Sequence, residues 1–274
     1  MGTIELITDK LIVIALFILI IHSIETLAYA VRLSGARVRL LASALSLFNV
    51  MVMFSRLSNM MQQPFTGSLI DKAPSDNTLL FVENQFRFLI GSASLGTILG
   101  IICLPTFVAI FSRAIIHLAD ERGSILDLLK KGFTFEYVRR GFKHIRKPSL
   151  SYLRGIGIRD IPIRFLIINM IITGVYTIGV LSALYASLLV PEYKTTAIMA
   201  SGLINGIATM LLIIFIDPKV SILADDVINK KGNYLELKRA SVMLISSRFL
   251  GTLFAQILFI PGAHYVAWFA KFIA

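Results

Sequence analysis

Six stretches of the chain are dominated by hydrophobic residues, and each is long enough to cross a lipid bilayer. About 20 apolar residues in a helix span a hydrocarbon core of about 30 Å. These stretches are apolar on all sides, whereas the surface helices of soluble proteins carry one polar face. The pattern predicts an all-α integral membrane protein with six transmembrane helices. We place them at residues 7–31, 42–65, 85–117, 162–190, 195–216 and 240–272.

The composition supports the membrane assignment and limits the available chemistry. Hydrophobic residues make up 56% of the 274 residues and charged residues 16%, whereas soluble proteins average about 25% charged residues. The single cysteine, Cys103, lies in an apolar stretch, which excludes an internal disulfide and a cysteine-based metal site. The sequence contains no P-loop or glycine-rich phosphate motif, so we expect no cofactor and no metal.

Positive charge is concentrated in alternate connecting segments. The net charge is +11, and most of the 27 Lys and Arg lie near residues 32–39, in 118–161 and in 217–239. Membrane proteins keep such basic segments on the cytoplasmic side. The opposite side holds Lys10, Lys72, Lys194 and Lys271. We therefore expect both termini outside, and the charge distribution indicates topology and not a nucleic-acid partner.

The two halves of the chain resemble each other. Sliding the sequence along itself places Tyr29-Ala30 on Tyr185-Ala186 and Asn49 on Asn205. One residue out of that register, Leu95-Gly96-Thr97 meets Leu250-Gly251-Thr252. Matches between asparagines and between Leu-Gly-Thr strings are less frequent by chance than matches between apolar residues. The pattern therefore predicts an internal repeat.

Each repeat holds three spans, an odd number, so the second copy must enter the membrane from the opposite side. We therefore predict two inverted three-helix repeats at residues 1–117 and 162–274. They are joined by a basic amphipathic cytoplasmic loop at 118–161, which either lies on an anionic leaflet or only fixes topology. Inverted repeats are typical of transporters, with a substrate site near the midplane, although enzymes use them too.

Small residues predict where helices pack closely, and prolines predict where helices break or end. Small-residue pairs permit close helix contact, as expected for Gly91 with Ser94 and for Gly202 with Gly206. Prolines are expected to break or end spans. The four concerned are Pro105, Pro191, Pro218 and Pro261.

The second span carries polar residues where apolar ones are the rule. Asn49, Arg56 and Gln63 are seven residues apart and so share one helix face, with Asn59 nearby. A guanidinium deep in a bilayer costs several kcal/mol unless it is paired or hydrated. Arg56 is therefore either part of a structural ion pair or part of a cavity wall that receives an anion.

The first span carries a second polar face, formed by His22, Glu25, Tyr29 and Arg32 at steps of three and four residues. We interpret Glu25 as the only deep carboxylate of the chain. It either balances an intramembrane arginine or carries a coupling proton. His22 lines the same polar face.

Two further arginines, Arg87 and Arg248, lie inside predicted spans. Together with Arg56 they leave an excess of positive charge over the single carboxylate. Guanidinium groups match the oxygens of phosphate, so the pattern favours an anionic, phosphorylated ligand.

Two long strings carry a resemblance to a known family. They read ETLAYAVRLSGARVRLLASALSLFNVMVMFSRLSNMMQQP at 25–64 and TGVYTIGVLSALYA followed by GLINGIATMLLIIFIDP at 173–218. They resemble the Amj family, whose members are bacterial lipid II flippases that act as an alternate to MurJ. The likeness covers essentially the whole chain.

The resemblance implies that lipid II, the undecaprenyl-diphosphate-linked disaccharide-pentapeptide, crosses from the cytoplasmic to the outer leaflet of the bacterial plasma membrane. The arginines suit the diphosphate of lipid II, and its polyprenyl tail can stay in the surrounding membrane lipids. We expect alternating access in which Arg56, with Arg248 or Arg87, holds the diphosphate. Asn59 and Gln63 would bind sugar or phosphate oxygens. Six helices form a small cavity for so large a headgroup, so a homodimer, which would enlarge the cavity, is an open alternative.

Two other functions remain open at this stage. An intramembrane enzyme that processes polyprenyl diphosphates, such as a phosphatase, would need a nucleophile and clustered acidic or histidine groups. The four histidines do not converge in the predicted topology; they are His22, His117, His144 and His264. A non-catalytic scaffold would have little reason to bury Arg56.

Overall fold

The computed structural model describes residues 8–120 and 162–274. These ranges fold into α-helices joined by short turns, with no β-strand among them. The helices are α1 (Asp9–Val38), α2 (Leu41–Asp71), α3 (Thr78–Asp120), α4 (Ile163–Leu189), α5 (Lys194–Leu211), α6 (Asp217–Ile228) and α7 (Tyr234–Ile273). Nearly all of the predicted 118–161 loop lies outside the described residues.

Six helical segments within these ranges are long and apolar enough to cross a membrane, so the protein is a multi-pass membrane protein as predicted. The fifth segment is longer than expected. A 3₁₀ turn (Pro191–Tyr193) precedes α5, and a π-helical segment (Leu212–Ile216) leads directly into α6.

The predicted 217–239 connection is mostly helical, because α6 covers its first half and α7 begins at Tyr234. Pro218 lies in the first turn of α6, directly after the π-helical segment, so it marks an irregular point in this helical segment and does not end it. Pro105 and Pro261 also fail to break their spans, because each lies inside a continuous helix.

The two halves pack in the same way. In the first half α1 lies in the centre and contacts α2 and α3, and in the second half α4 contacts α5 and α7. Gly96 and Gly251 lie at equivalent positions of the predicted repeat, and each allows two helix backbones to approach closely. A Cβ on Gly96 would collide with the carbonyl of Leu19 on α1, and a Cβ on Gly251 would lie 2.5 Å from the carbonyl of Met170 on α4.

The crossing of α3 and α7 is consistent with an inverted repeat. Two antiparallel helices related by a two-fold axis in the membrane plane face each other at equivalent positions. Ser94 on α3 donates to Thr252 on α7 over 3.1 Å, within three residues of the matched Leu-Gly-Thr strings. One turn or two further out, Arg87 and Gln256 exchange hydrogen bonds with each other's backbone carbonyls, at 3.0 and 2.8 Å.

An apolar cluster fills the end of the bundle where α1 begins and α7 ends. Its centre is the ring of Phe259, whose centroid is 6.0 Å from that of Phe86 and 5.4 Å from that of Tyr185. We call this cluster the apolar plug. By contrast, α2 and the α5–α6 segment are the least buried of the spans and form the two sides of the bundle.

The glycine contacts give a stability prediction. We expect Gly96→Ala to lower the free energy of unfolding by about 1–3 kcal/mol, because the added methyl group forces α3 away from α1. Gly91→Ala on the same helix is the matched control, since a Cβ there meets nothing within 4 Å. Thermal unfolding of both variants in detergent measures the difference, and equal midpoints would contradict the prediction.

Gly91, Gly202 and Gly206 all have open space where a Cβ would lie. The expectation that the Gly202 and Gly206 pair permits close helix contact is therefore wrong, as it is for Gly91. Its partner Ser94 does lie at a helix contact, through the hydrogen bond to Thr252.

Candidate functional site

A cavity lined by five charged side chains lies between the two halves. Residues of α1, α2, α4, α5 and α7 line it, together with the first residue of α6. We call it the charged cavity, and its volume is about 70 Å³. Its charged residues are Glu25, Arg32, Arg56, Asp217 and Arg248.

Helix α1 supplies one wall of the charged cavity. Glu25, Tyr29 and Arg32 follow each other at spacings of four and three residues, so they lie on one face of the helix. The second half of α1 is buried almost all round because α2, α3, α6 and α7 pack against it. The polar face therefore points into the protein and not into lipid.

Arg32 forms the first of two ion pairs between the halves. Its guanidinium donates to the Asp217 carboxylate over 2.7 Å, and its carbon lies 4.2 Å from the centre of the Phe48 ring. The arginine side chain is buried, with 5% of its surface exposed, and the aspartate side chain retains 21%. Asp217 directly follows the π-helical segment, an irregularity that is frequent at functional sites.

Arg248 forms the second ion pair, with Glu25 of α1. The other carboxylate oxygen of Glu25 accepts a hydrogen bond from the Ser55 hydroxyl of α2 at 2.8 Å. Glu25 thus links α1 to α2 within the first half and to α7 of the second half.

Arg56 differs from the other two arginines. It lines the charged cavity but is exposed, and no described carboxylate pairs with it. The interpretation of Arg56 as part of a structural ion pair therefore finds no partner within the described residues, and its charge faces the cavity.

Several polar atoms of the cavity wall have no hydrogen-bond partner among the described residues. They are the Nε atoms of Arg32 and Arg248 and the hydroxyl of Thr173, each fully buried. A buried donor without an acceptor costs about 1–3 kcal/mol, and more when the group is charged. An acceptor-rich group such as an anion would satisfy these donors if the side chains shifted to expose them.

A smaller, uncharged pocket lies next to the charged cavity, one to two turns closer to the apolar plug. Its polar wall is formed by His22, Asn59, Gln62, Tyr176 and Thr177. Tyr176 lines both spaces, and its ring lies edge-on to that of His22 at 6.5 Å. The Nδ1 atom of His22 is buried without a partner among the described residues. We call this space the neutral pocket.

The predicted site residues therefore fall into separate groups. Glu25, Arg56 and Arg248 line the charged cavity, and His22 and Asn59 line the neutral pocket. Gln63 lines a third recess nearer the chain termini, with Asp71 and Lys194.

Two predicted site residues lie elsewhere. Asn49 is exposed and lines none of these spaces. Arg87 pairs with Glu83 at 2.8 Å and donates to the Gln256 carbonyl, so the structure places it at the α3–α7 contact.

The sequence interpretation underestimated Arg32, Asp217 and Tyr176. Arg32 was on the predicted polar face but was assigned to the basic segment. Asp217 fell one residue beyond the predicted fifth span, yet it lines the same cavity as Glu25, which is therefore not the only carboxylate there. The Asp217-Pro218 dipeptide at the end of an apolar stretch was the available signal.

Within residues 8–120 and 162–274, no three His, Cys, Asp or Glu side chains are grouped so that they could hold a metal ion. His22, His117 and His264 lie on α1, near the end of α3 and on α7 respectively. His144 lies outside the described residues.

Comparison with known proteins identifies the family. The family model described as Amj, alternate to MurJ, matches residues 17–270. A protein of Bacillus subtilis (strain 168) named Lipid II flippase Amj is 61% identical over 97% of this chain and 99% of its own length. No solved structure matches the chain. The cavity described above therefore lies in a multi-pass membrane protein that belongs to the Amj family.

Proposed function

We propose that this protein is a flippase that moves lipid II from the cytoplasmic to the outer leaflet of a bacterial plasma membrane. The observation that carries the proposal is the charged cavity, where three arginines from both halves surround a space between them. The similarity to a protein named Lipid II flippase Amj supports the same function.

The chemistry of the two spaces matches the parts of the substrate. The diphosphate of lipid II is an acceptor-rich anion, which suits Arg56 and the Nε atoms of Arg32 and Arg248, none of which has a partner among the described residues. The neutral pocket offers amide, hydroxyl and imidazole groups, which suit uncharged sugar groups. The apolar outer faces of α2 and α5 leave the polyprenyl tail in lipid.

The charged cavity must open for the headgroup to enter. Sites for drug-sized ligands enclose about 300–1,000 Å³, and the charged cavity encloses about 70 Å³. Helices α2 and α5 can move most easily, because they are the least buried of the spans and have fewer close glycine contacts than α3 and α7, namely Ala44 against Gly35 and Asn205 against Gly179. Alternating access then consists of moving these side helices around a firmly packed centre.

The proposed orientation places the charged cavity on the cytoplasmic side of the apolar plug. Arg32 lies in the last third of α1, and Asp217 begins the segment that leads to the basic residues Lys230 and Lys231. The apolar plug closes the opposite end. With this orientation, we propose that substrate enters the charged cavity from the cytoplasmic side.

A transport assay tests the function and the site together. We expect liposomes containing the protein to exchange fluorescent lipid II between leaflets, measured with a membrane-impermeant quencher. Arg56→Gln should slow this exchange about 10- to 100-fold, because one charge-assisted hydrogen bond of about 1.5–3 kcal/mol is lost.

The matched control is Arg87→Gln, which removes an arginine outside the cavity and should leave the exchange rate near that of wild type. Wild-type vesicles that exchange no more lipid than empty ones would contradict the flippase. Release of phosphate in the same sample would favour the diphosphate-processing enzyme.

Cysteine labelling tests the orientation. In a Cys103→Ser background we expect Ser75→Cys, exposed between α2 and α3, to react with an impermeant maleimide on intact cells. Asn229→Cys, exposed between α6 and α7, should react only after the membrane is permeabilised. The reverse pattern would place the termini inside and contradict the proposed direction of entry.

A further inference from the structure

The two carboxylates of the charged cavity are held differently. Glu25 accepts hydrogen bonds from Arg248 and from Ser55, so it is fixed from two helices. Among the described residues Asp217 has one donor, Arg32, and its side chain is the more exposed of the two carboxylates, at 21% against 16%. Asp217 is therefore the more easily displaced anion.

Arg32 keeps binding capacity while it is paired. A guanidinium carries five N–H donors, and the Asp217 carboxylate contacts the terminal Nη2 of Arg32 through one oxygen. The Nε–H group is buried without a partner among the described residues. The ring of Phe48 supports the flat face of the guanidinium, so the arginine stays in place if the aspartate leaves.

We propose that Asp217 is an internal substitute for the substrate: it neutralises Arg32 in the empty protein and is displaced when a diphosphate binds. This inference rests on the proposed function of the charged cavity. It adds that Asp217 and the diphosphate of the lipid compete for Arg32. Asp217 is thus a residue that sets affinity by occupying the site.

The position of Asp217 gives the displacement a structural consequence. Its ion pair joins α1 of the first half to the α5–α6 segment of the second. The π-helical segment Leu212–Ile216 lies immediately before it, and Pro218 follows, so the helix is irregular where Asp217 must move. Binding of the anion would therefore release one of the two ion pairs between the halves.

The competition is tested by measuring affinity for farnesyl diphosphate, a soluble prenyl diphosphate, with the purified full-length protein in detergent. We expect Asp217→Asn to bind the probe about tenfold more tightly than wild type, because the competing anion is gone. Asp225→Asn, an exposed aspartate of the same helix, should leave the affinity unchanged. A purely structural role of Asp217 would predict weaker binding instead.

A double variant shows whether the effect acts through Arg32. In an Arg32→Gln background, Asp217→Asn should no longer tighten binding, because the contested guanidinium is absent. If Asp217→Asn does not yield folded protein, Asp217→Ser carries the same expectation.

The outcomes separate this inference from the proposed function. Unchanged or weaker binding by folded Asp217→Asn, with wild type binding the probe, overturns the competition alone. No binding by either protein overturns both the competition and the diphosphate site. The lipid II exchange assay reports separately on whether the protein is a flippase.

Discussion

A guanidinium buried within a membrane protein must find a negative partner, and this requirement organises the centre of the molecule. Arg32 and Arg248 are almost fully buried, and both obtain their partner from the other half of the chain. Breaking such a pair by removing one member costs about 3–5 kcal/mol. The two ion pairs therefore hold the halves in register and, at the same time, supply four of the five charged side chains that line the charged cavity.

The rest of the architecture separates rigid from movable parts. The glycine contacts bring α3 against α1 and α7 against α4, so that backbones approach closely. Membrane helices lack a hydrophobic drive to associate with each other, so contacts of this kind carry much of their packing. Helices α2 and α5 have fewer such contacts and also border the charged cavity. Two of the helices that line the charged cavity are thus the ones that can move, while α1, α4 and α7 hold its other walls in place.

The sequence was sufficient for the number of membrane-spanning helices because the hydropathy signal extends over many residues, and the packing of the two halves is consistent with the predicted repeat. It was less informative for the site. Asn49, Arg56 and Gln63 do share one face of α2, but 14 residues separate the first from the last, which is about 21 Å along a helix. One face therefore passes several different surroundings, and only Arg56 reaches the charged cavity. The position of each residue along the helix axis decides which one lines the charged cavity, and the spacing of residues in the sequence does not report that position relative to the other helices.

Arg87 and Arg248 looked equivalent in sequence because both are arginines within apolar spans. Their partners distinguish them: Arg87 is satisfied by Glu83 one turn away, whereas Arg248 pairs across the halves. A local carboxylate four residues away is visible in the sequence and marks an arginine that needs no distant partner. Asp217 was missed for the opposite reason, since its partner lies 185 residues away.

The predicted repeat also shows where the two halves differ in their side chains. In the register that aligns Asn49 with Asn205, Val52 corresponds to Ala208 and Arg56 to Leu212, and all four line the charged cavity. A duplicated three-helix unit would begin with two identical walls, yet here one wall carries the arginine and the other a leucine. The glycine scaffold thus exists in two copies while Arg56 exists in one. After such a duplication, a substitution at one of the paired glycine contacts would leave the other in place, whereas a substitution at Arg56 would leave no counterpart.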